Sequence, residues 1–279
     1  TFSMIYAYSE DFVLVFSHDE VVHGKGSLVN KMPGQTMEDK FANLRTAYGF
    51  MMGHPGKKLL FMGQDFAQMD EWSEEKGVEW NLLKYPIHSQ MQEYVKELNR
   101  LYRSHPALYR EDYQPEGFEW INCMDSANNI VAFLRRSEEE TLLFVCNFAP
   151  VHHAKYQVGV PFEGKYKEIF CSDAVRFGGS GLGNARVKAS RAAECDGKQE
   201  SITIQLPPLG VCVFTCTPEK RQKTGKNGAK AGTEKTGTTR KTASKAAAKK
   251  SEAVKAAGKI IKLPFTQKKD GIETKKETK

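Results

Sequence analysis

The densest cluster of ionisable side chains is Ser17-His18-Asp19-Glu20, followed after two valines by His23-Gly24-Lys25. It comes directly after an apolar run at 12–16 (Phe-Val-Leu-Val-Phe), which places it at the C-terminal end of a strand. In α/β barrels catalytic groups gather at that end, because the loops there vary without disturbing the core. A carboxylate next to an imidazole suits hydroxyl binding and the stabilisation of charge that develops in a transition state. Sugar chemistry needs both, since an oxocarbenium-like centre requires a nearby carboxylate. The competing reading is a structural hydrogen bond between His18 and Asp19 at a strand exit. On residue types alone the two readings are evenly matched.

The flanking elements are readable from periodicity. The run at 12–16 is continuous rather than alternating, the pattern of a strand buried on both faces. Thr36 can cap a helix with Asp39 at its third position, and Met37, Phe41, Leu44, Tyr48 and Met51 follow 3–4 spacing up to about Gly53, where His-Pro-Gly stops the helix. Residues 57–62 (Lys-Lys-Leu-Leu-Phe-Met) give a second buried strand. A second helix is expected to start at a Ser89-x-x-Gln92 capping box, to carry Met91, Val95, Leu98 and Tyr102 on one stripe, and to end at His105-Pro106. This β-α-β-α order predicts a parallel sheet or barrel. Beyond about residue 111 the pattern changes to short β-rich runs at 118–121, 130–135, 142–147, 155–160, 166–170, 201–206 and 211–216, separated by Gly, Pro, Asp and Asn. That spacing predicts an antiparallel β-sandwich.

Charge divides the chain again. The 279 residues carry a formal +7, yet positions 219–279 hold 19 Lys+Arg against 6 Asp+Glu, leaving 22 basic and 28 acidic residues in the first 218. The basic segment has one aromatic, Phe265, and is expected to be disordered. Charged residues at 27% and hydrophobic ones at 40% fit a soluble globular body. No apolar run approaches the ~18–20 residues of a spanning helix. The first residue is Thr1, and 1–15 lack a secretory signal, so a processed N-terminus or a fragment is expected. The six cysteines form no C-x-x-C pair and no zinc spacing, and they read as small buried hydrophobes of a reducing cytosol. His152-His153 has no third ligand nearby, and 178–183 (Gly-Gly-Ser-Gly-Leu-Gly) reads as a flexible loop because no βαβ unit follows it. Arg45 reads as a salt-bridge partner on a helix face.

Several stretches carry a resemblance: 16–25 (Phe-Ser-His-Asp-Glu-Val-Val-His-Gly-Lys), Met-Pro-Gly at 32–34, Lys-Phe-Ala-Asn-Leu-Arg at 40–45, Pro-Gly-Lys-Lys-Leu-Leu-Phe-Met-Gly at 55–63, Phe-Ala-Gln at 66–68, Glu-Trp at 71–72 and Glu-Trp-Asn-Leu-Leu at 79–83. Together they resemble the bacterial 1,4-α-glucan (glycogen) branching enzymes of the α-amylase superfamily, glycoside hydrolase family 13, over about residues 3–217. The resemblance implies an α/β plus all-β chain. Residues 1–110 would be the last two β/α units of a (β/α)₈ barrel, 111–218 an all-β C-terminal domain, and 219–279 a Lys/Ala-rich disordered tail.

The resemblance also implies a chemistry: retaining cleavage of an α-1,4 glucan and transfer of the segment to a 6-hydroxyl, with no cofactor and no metal. Asp19 matches the transition-state-stabilising carboxylate and His18 the substrate-binding histidine beside it. The nucleophilic Asp and the acid/base Glu would lie upstream, so the isolated chain is expected to be inactive, with the inward faces of its strands exposed. His23 and Lys25 would reach acceptor hydroxyls or stand solvated. Trp72 and Trp80 would stack on a sugar ring or pack the loop. Asp65 stands where the family usually has Glu and reaches one methylene less far, so the resemblance assigns it no role. The implied partner is an α-glucan, in the cytoplasm and away from membranes. An α-glucan hydrolase of the same superfamily is the enzymatic alternative. For the tail, sequence-blind binding of a polyanion competes with a solubilising extension.

Overall fold

The computed structural model describes residues 4–5 and 7–219. The tail expected at 219–279 therefore lies, apart from Glu219, outside the described residues. Strand β1 (Val13–Phe16) leads through a 3₁₀ turn, His18–Glu20, and a single turn α1 (Leu28–Lys31) into helix α2 (Met37–Gly53). Thr36 and Asp39 form the capping box read from the sequence, each side chain accepting from the other's backbone N–H. Strand β2 (Lys57–Leu60) then pairs parallel with β1 in the register Val13↔Lys57 to Phe16↔Leu60, as a β-α-β unit requires.

Helix α3 (Pro86–Ser104) begins three residues earlier than expected. Pro86 at its first position fixes φ and lacks the N–H that would go unpaired there, so the proline nucleates the helix. Ser89 instead donates within the first turn to the Pro86 carbonyl at 3.0 Å, and Gln92 reaches Asp65. The helix ends before His105-Pro106, as expected.

The remaining strands are antiparallel: β3 (Phe118–Asp125), β4 (Ile130–Arg136), β5 (Thr141–Asn147), β6 (His153–Val160), β7 (Gly164–Cys171), β8 (Lys188–Ala189), β9 (Glu200–Leu206) and β10 (Gly210–Pro218). Six form one sheet in the order β3-β4-β5-β10-β7-β8, while β6 and β9 pair separately. Alternation along β10 serves two cores. Val211 and Val213 face a cluster with Tyr48, Met52, Tyr94 and Phe144, whereas Cys212 and Phe214 face Val158, Val160, Ile202 and Ile204. Helices α2 and α3 thus cover one face of the large sheet and the β6–β9 pair the other. Gly53 lets the end of α2 lie on the sheet, since a Cβ there would come within 2.6 Å of Phe144 and 2.9 Å of Phe133.

A buried ion pair ties the two parts together. Arg135 and Asp112 have fully buried side chains and meet at 2.7 Å. Arg135 also donates to the carbonyls of Gly53 at 2.9 Å and Gly117 at 3.2 Å. Asp112 further accepts from Lys57 at 2.9 Å and the Tyr102 hydroxyl at 3.0 Å.

Three expectations are corrected. Strands β1 and β2 are not buried on both faces: Val13, Val15 and Leu59 are 49%, 50% and 44% exposed, because among the described residues each strand pairs only with the other. The glycine-rich stretch at 178–183 is held rather than flexible, since the Asp173 carboxylate accepts from Ser180 N, Ser180 Oγ and Leu182 N. Arg45 is buried, and no carboxylate lies within ion-pair distance of it among the described residues. Cys146, Cys171, Cys212 and Cys216 are buried as read, while Cys123 and Cys195 are partly exposed. No helix of the described residues is long and apolar enough to cross a membrane.

Candidate functional site

The end of β1 delivers the ionisable cluster as the sequence placed it. Ser17 caps the following turn by accepting from Asp19 N at 3.2 Å, and its hydroxyl donates to Asp19 Oδ2 at 3.2 Å. His18 Nε2 lies 3.4 Å from Asp19 Oδ1, with the two side chains 56% and 72% exposed. The end of β2 supports them from beside: Phe61 N donates to the Phe16 carbonyl at 3.1 Å, and the Phe61 ring sits 5.9 Å from the His18 ring. Lys25 folds back to donate to the Asp19 carbonyl at 2.6 Å. Its charge is thereby fixed next to the cluster.

The loop carrying His23 and Lys25 turns through left-handed backbone at His23, Gly24 and Gly26 (φ +59, +78 and +71). This conformation leaves backbone N–H groups pointing together, and one carboxylate collects them: Glu71 accepts from Gly24 N at 2.7 Å and Gly26 N at 2.8 Å. Those two bonds hold the Glu71 carboxyl below its ordinary pKa, because they stabilise the ionised form. Trp72 N donates to the Val21 carbonyl at 3.0 Å, and the Trp72 ring meets Phe61 edge-on at 5.3 Å. Trp72 is part-buried at the side of the cluster, whereas Trp80 is 62% exposed against Phe66. His18, Asp19, His23, Lys25 and Trp72 therefore fall in one loop neighbourhood.

Asp65 occupies the 3₁₀ turn Gln64–Phe66 after β2, where its carboxylate accepts from Gln92 of α3 at 3.2 Å. Tyr48, fully buried under the site, fixes this turn by donating to the Gln64 carbonyl at 2.9 Å. Reasoning from sequence missed Glu71 and Glu79. The latter carboxylate accepts from Met69 N and Asp70 N at 3.0 and 2.9 Å and so shapes the next loop. It also missed a group in the β-domain, where Glu168, Cys171 and Cys212 bring ligand-type atoms within 4.8 Å of one another. Glu168 already accepts from Asn184, and the Cys171 thiol donates to the Leu182 carbonyl at 3.2 Å. The β1-end arrangement offers one exposed, oriented carboxylate with an imidazole beside it. Such a group can accept from sugar hydroxyls and stabilise positive charge, but glycosidic cleavage needs a pair of carboxyl groups across the bond.

Comparison with known proteins adds to this geometry. Residues 120–217 match the family described as the alpha amylase, C-terminal all-beta domain. The chain is 51% identical over 216 residues to the 1,4-alpha-glucan branching enzyme GlgB of Gloeobacter violaceus, covering 77% of this chain and 29% of that protein. Against the enzymes of the same name from Oceanobacillus iheyensis and Aquifex aeolicus, identity is 47% over 224 residues and 50% over 213 residues. Those matches cover 80% and 76% of this chain and 35% and 34% of the relatives. The chain thus spans about a third of the length of the curated relatives it matches. Among solved structures, an AmyP variant in complex with maltotriose superposes with a TM-score of 0.50 at 12% identity, covering 75% of this chain and 41% of that one. At that identity the likeness is one of fold alone.

Proposed function

We propose, for a chain that belongs to the 1,4-α-glucan branching enzyme family of the α-amylase superfamily and corresponds to its C-terminal portion, that it supplies one carboxylate of a branching centre. On this reading residues 1–110 are the last two β/α units of a (β/α)₈ barrel, 111–218 the all-β domain that supports them, and 219–279 a basic extension. The exposed apolar residues of β1 and β2, Val13, Val15 and Leu59, suit strands that take further neighbours on assembly.

Asp19 is the transition-state stabiliser. Its carboxylate accepts hydrogen bonds from donor-sugar hydroxyls and opposes the positive charge that develops as the glycosidic bond stretches. His18 donates to a neighbouring hydroxyl. His23 and Lys25, carried on the loop that Glu71 holds, line the side where the acceptor chain enters, and Trp72 walls the same side with its indole. The bond-making pair, a nucleophilic Asp and an acid/base Glu, belongs to barrel elements other than the two in this chain. Cleavage proceeds with retention through a covalent glycosyl-enzyme, which a glucan 6-hydroxyl intercepts, in a cytoplasmic setting.

The observation that carries this reading is the exposed Asp19–His18 pair at the C-terminal end of β1, within a stretch about half identical to branching enzymes. It predicts that the 279-residue chain alone leaves amylose unchanged. Restored to a complete barrel, it lowers the iodine colour of amylose without accumulating reducing ends. Reducing ends that rise with the loss of colour would establish hydrolysis instead, and branching by the isolated chain would refute the division of the three carboxylates.

A further inference from the structure

A second site lies where α2 and α3 begin. The first turns of the two helices and the held glycine-rich stretch border a groove of about 460 Å³, whose walls include Met37, Glu38, Phe41, Arg45, Tyr85 and Gln90. Arg45 is only 4% exposed. Its guanidinium has no hydrogen bond and no ion pair among the described residues, and its Nε is wholly enclosed without a partner. An arginine cannot shed its charge at neutral pH, so burying it unpaired is costly unless something in the groove completes it. Asp173 is the carboxylate that most favours its charge, but its oxygens already accept from Ser180 and Leu182.

Two further features point the same way. The N-terminus of α3, a 19-residue helix, borders the groove with no side-chain cap on it. Pro86 lacks an N–H and the His88 and Ser89 amides donate to the Tyr85 carbonyl, so the Ile87 N–H is the first-turn donor that remains at the positive end of its dipole. Gly178, in left-handed conformation at φ +80, closes the groove floor where a Cβ would come within 2.9 Å of Gln90 Oε1 and 3.7 Å of Arg45 Nη1. The Gln90 side-chain amide and the Arg45 guanidinium therefore both border the space that a side chain at position 178 would fill. Glu38 is the acidic side chain of the wall, suited to accept from hydroxyls rather than to approach an anion. Met37 and Tyr85 offer apolar surface for the body of a ligand.

We infer that this groove binds a small organic oxyanion, a phosphate or carboxylate carried on a hydroxyl-bearing body, with Arg45 as its counter-ion. The site is independent of glycosyl transfer, and its readout is binding. The test is calorimetric titration of the 279-residue chain at fixed ionic strength with glucose 6-phosphate, gluconate and glucose. Two variants accompany it: Arg45→Met, which removes the charge, and Gln90→Phe, which fills the part-exposed mouth without touching the buried arginine. The expected result is saturable one-to-one binding of at least one of the two anions and none of glucose, weakened tenfold or more in both variants. Preference for glucose 6-phosphate over gluconate assigns the phosphate as the recognised group, and the reverse assigns the carboxylate. Equal binding by the intact chain and Gln90→Phe would move the affinity to the basic residues of 219–279 and overturn the inference, as would binding of neither anion. Should Arg45→Met fail to fold, Gln90→Phe decides alone.

Discussion

Replacing Arg135 by Met tests whether one buried ion pair holds the β-α-β unit on the sheet. The substitution keeps most of the side-chain volume but leaves Asp112 fully buried without its 2.7 Å partner. Breaking a buried pair by removing one member costs about 3–5 kcal/mol. The carbonyls of Gly53 and Gly117 lose their donor as well, at about 1–3 kcal/mol for each that water does not reach. Lys57 and the Tyr102 hydroxyl still contact Asp112 and offset part of this, so a loss within the first range is expected. For a unit of this size that lowers the melting temperature by about 10 °C, and in urea it lowers the midpoint with little change in slope. The pH dependence has a definite sign. Burial pushes the Asp112 carboxyl up, but the Arg135 guanidinium and the Lys57 hydrogen bond outweigh it and hold the group below its ordinary range. That contribution is present in full above about pH 4 and is lost as the pH falls through the folded-state value. The gap between the intact chain and Arg135→Met is thus full at pH 7 and narrows in acid. The control is Arg110→Met, which breaks a half-exposed pair with Glu139 and should leave stability nearly unchanged, since solvent screens such a pair. If Arg135→Met cost no more than this control, the lock would not exist.

Other perturbations probe the remaining features. Burial pushes Lys58 down to about 7 against the opposing pull of Asp112. The unfolded chain then binds the extra proton between about pH 7 and 10, so stability should rise with pH across that window and Lys58→Met should flatten the rise. Glu71→Ala removes the acceptor of the Gly24 and Gly26 amides. Hydrogen exchange at these two amides should quicken by tenfold or more, with Glu71→Gln in between, and unchanged exchange would show that Glu71 does not hold the loop. Val15→Lys places a charge on the exposed apolar face of β1. Sedimentation should show less self-association than for the unmodified chain.

What could be read from sequence follows the range of the interactions concerned. The capping box at Thr36 and Asp39 joins residues three apart, and the runs that became β4, β5 and β10 carry continuous apolar patterns, so both were legible. The start of α3 was misread because Ser89-x-x-Gln92 fits a local template while the stiffer signal, Pro86 at the first helical position, lay three residues upstream. The apolar run of β1 by itself pointed to burial on both faces, because a strand's own residues do not say which neighbours are present; the exposure that is seen was expected from the family resemblance instead. The site divides the same way. His18, Asp19, His23 and Lys25 sit within eight consecutive residues, so their grouping was legible in the sequence. Glu71 acts across 45–47 positions, the Asp112–Arg135 pair across 23, and the enclosure of Arg45 depends on α3 and a loop near Gly178. No periodicity records such pairings.

Asp19 is most directly tested in a chimera. Residues 1–219 of this chain would replace the matching C-terminal third of the Aquifex aeolicus branching enzyme, to which it is 50% identical, and transfer of amylose segments into new branches would be measured with Asp19 intact and as Asp19→Asn. The predicted result is branching by the chimera, reduced by about 10³-fold or more in Asp19→Asn, with the same melting temperature because the carboxylate is exposed. Near-equal branching by the two forms would contradict the role assigned to Asp19.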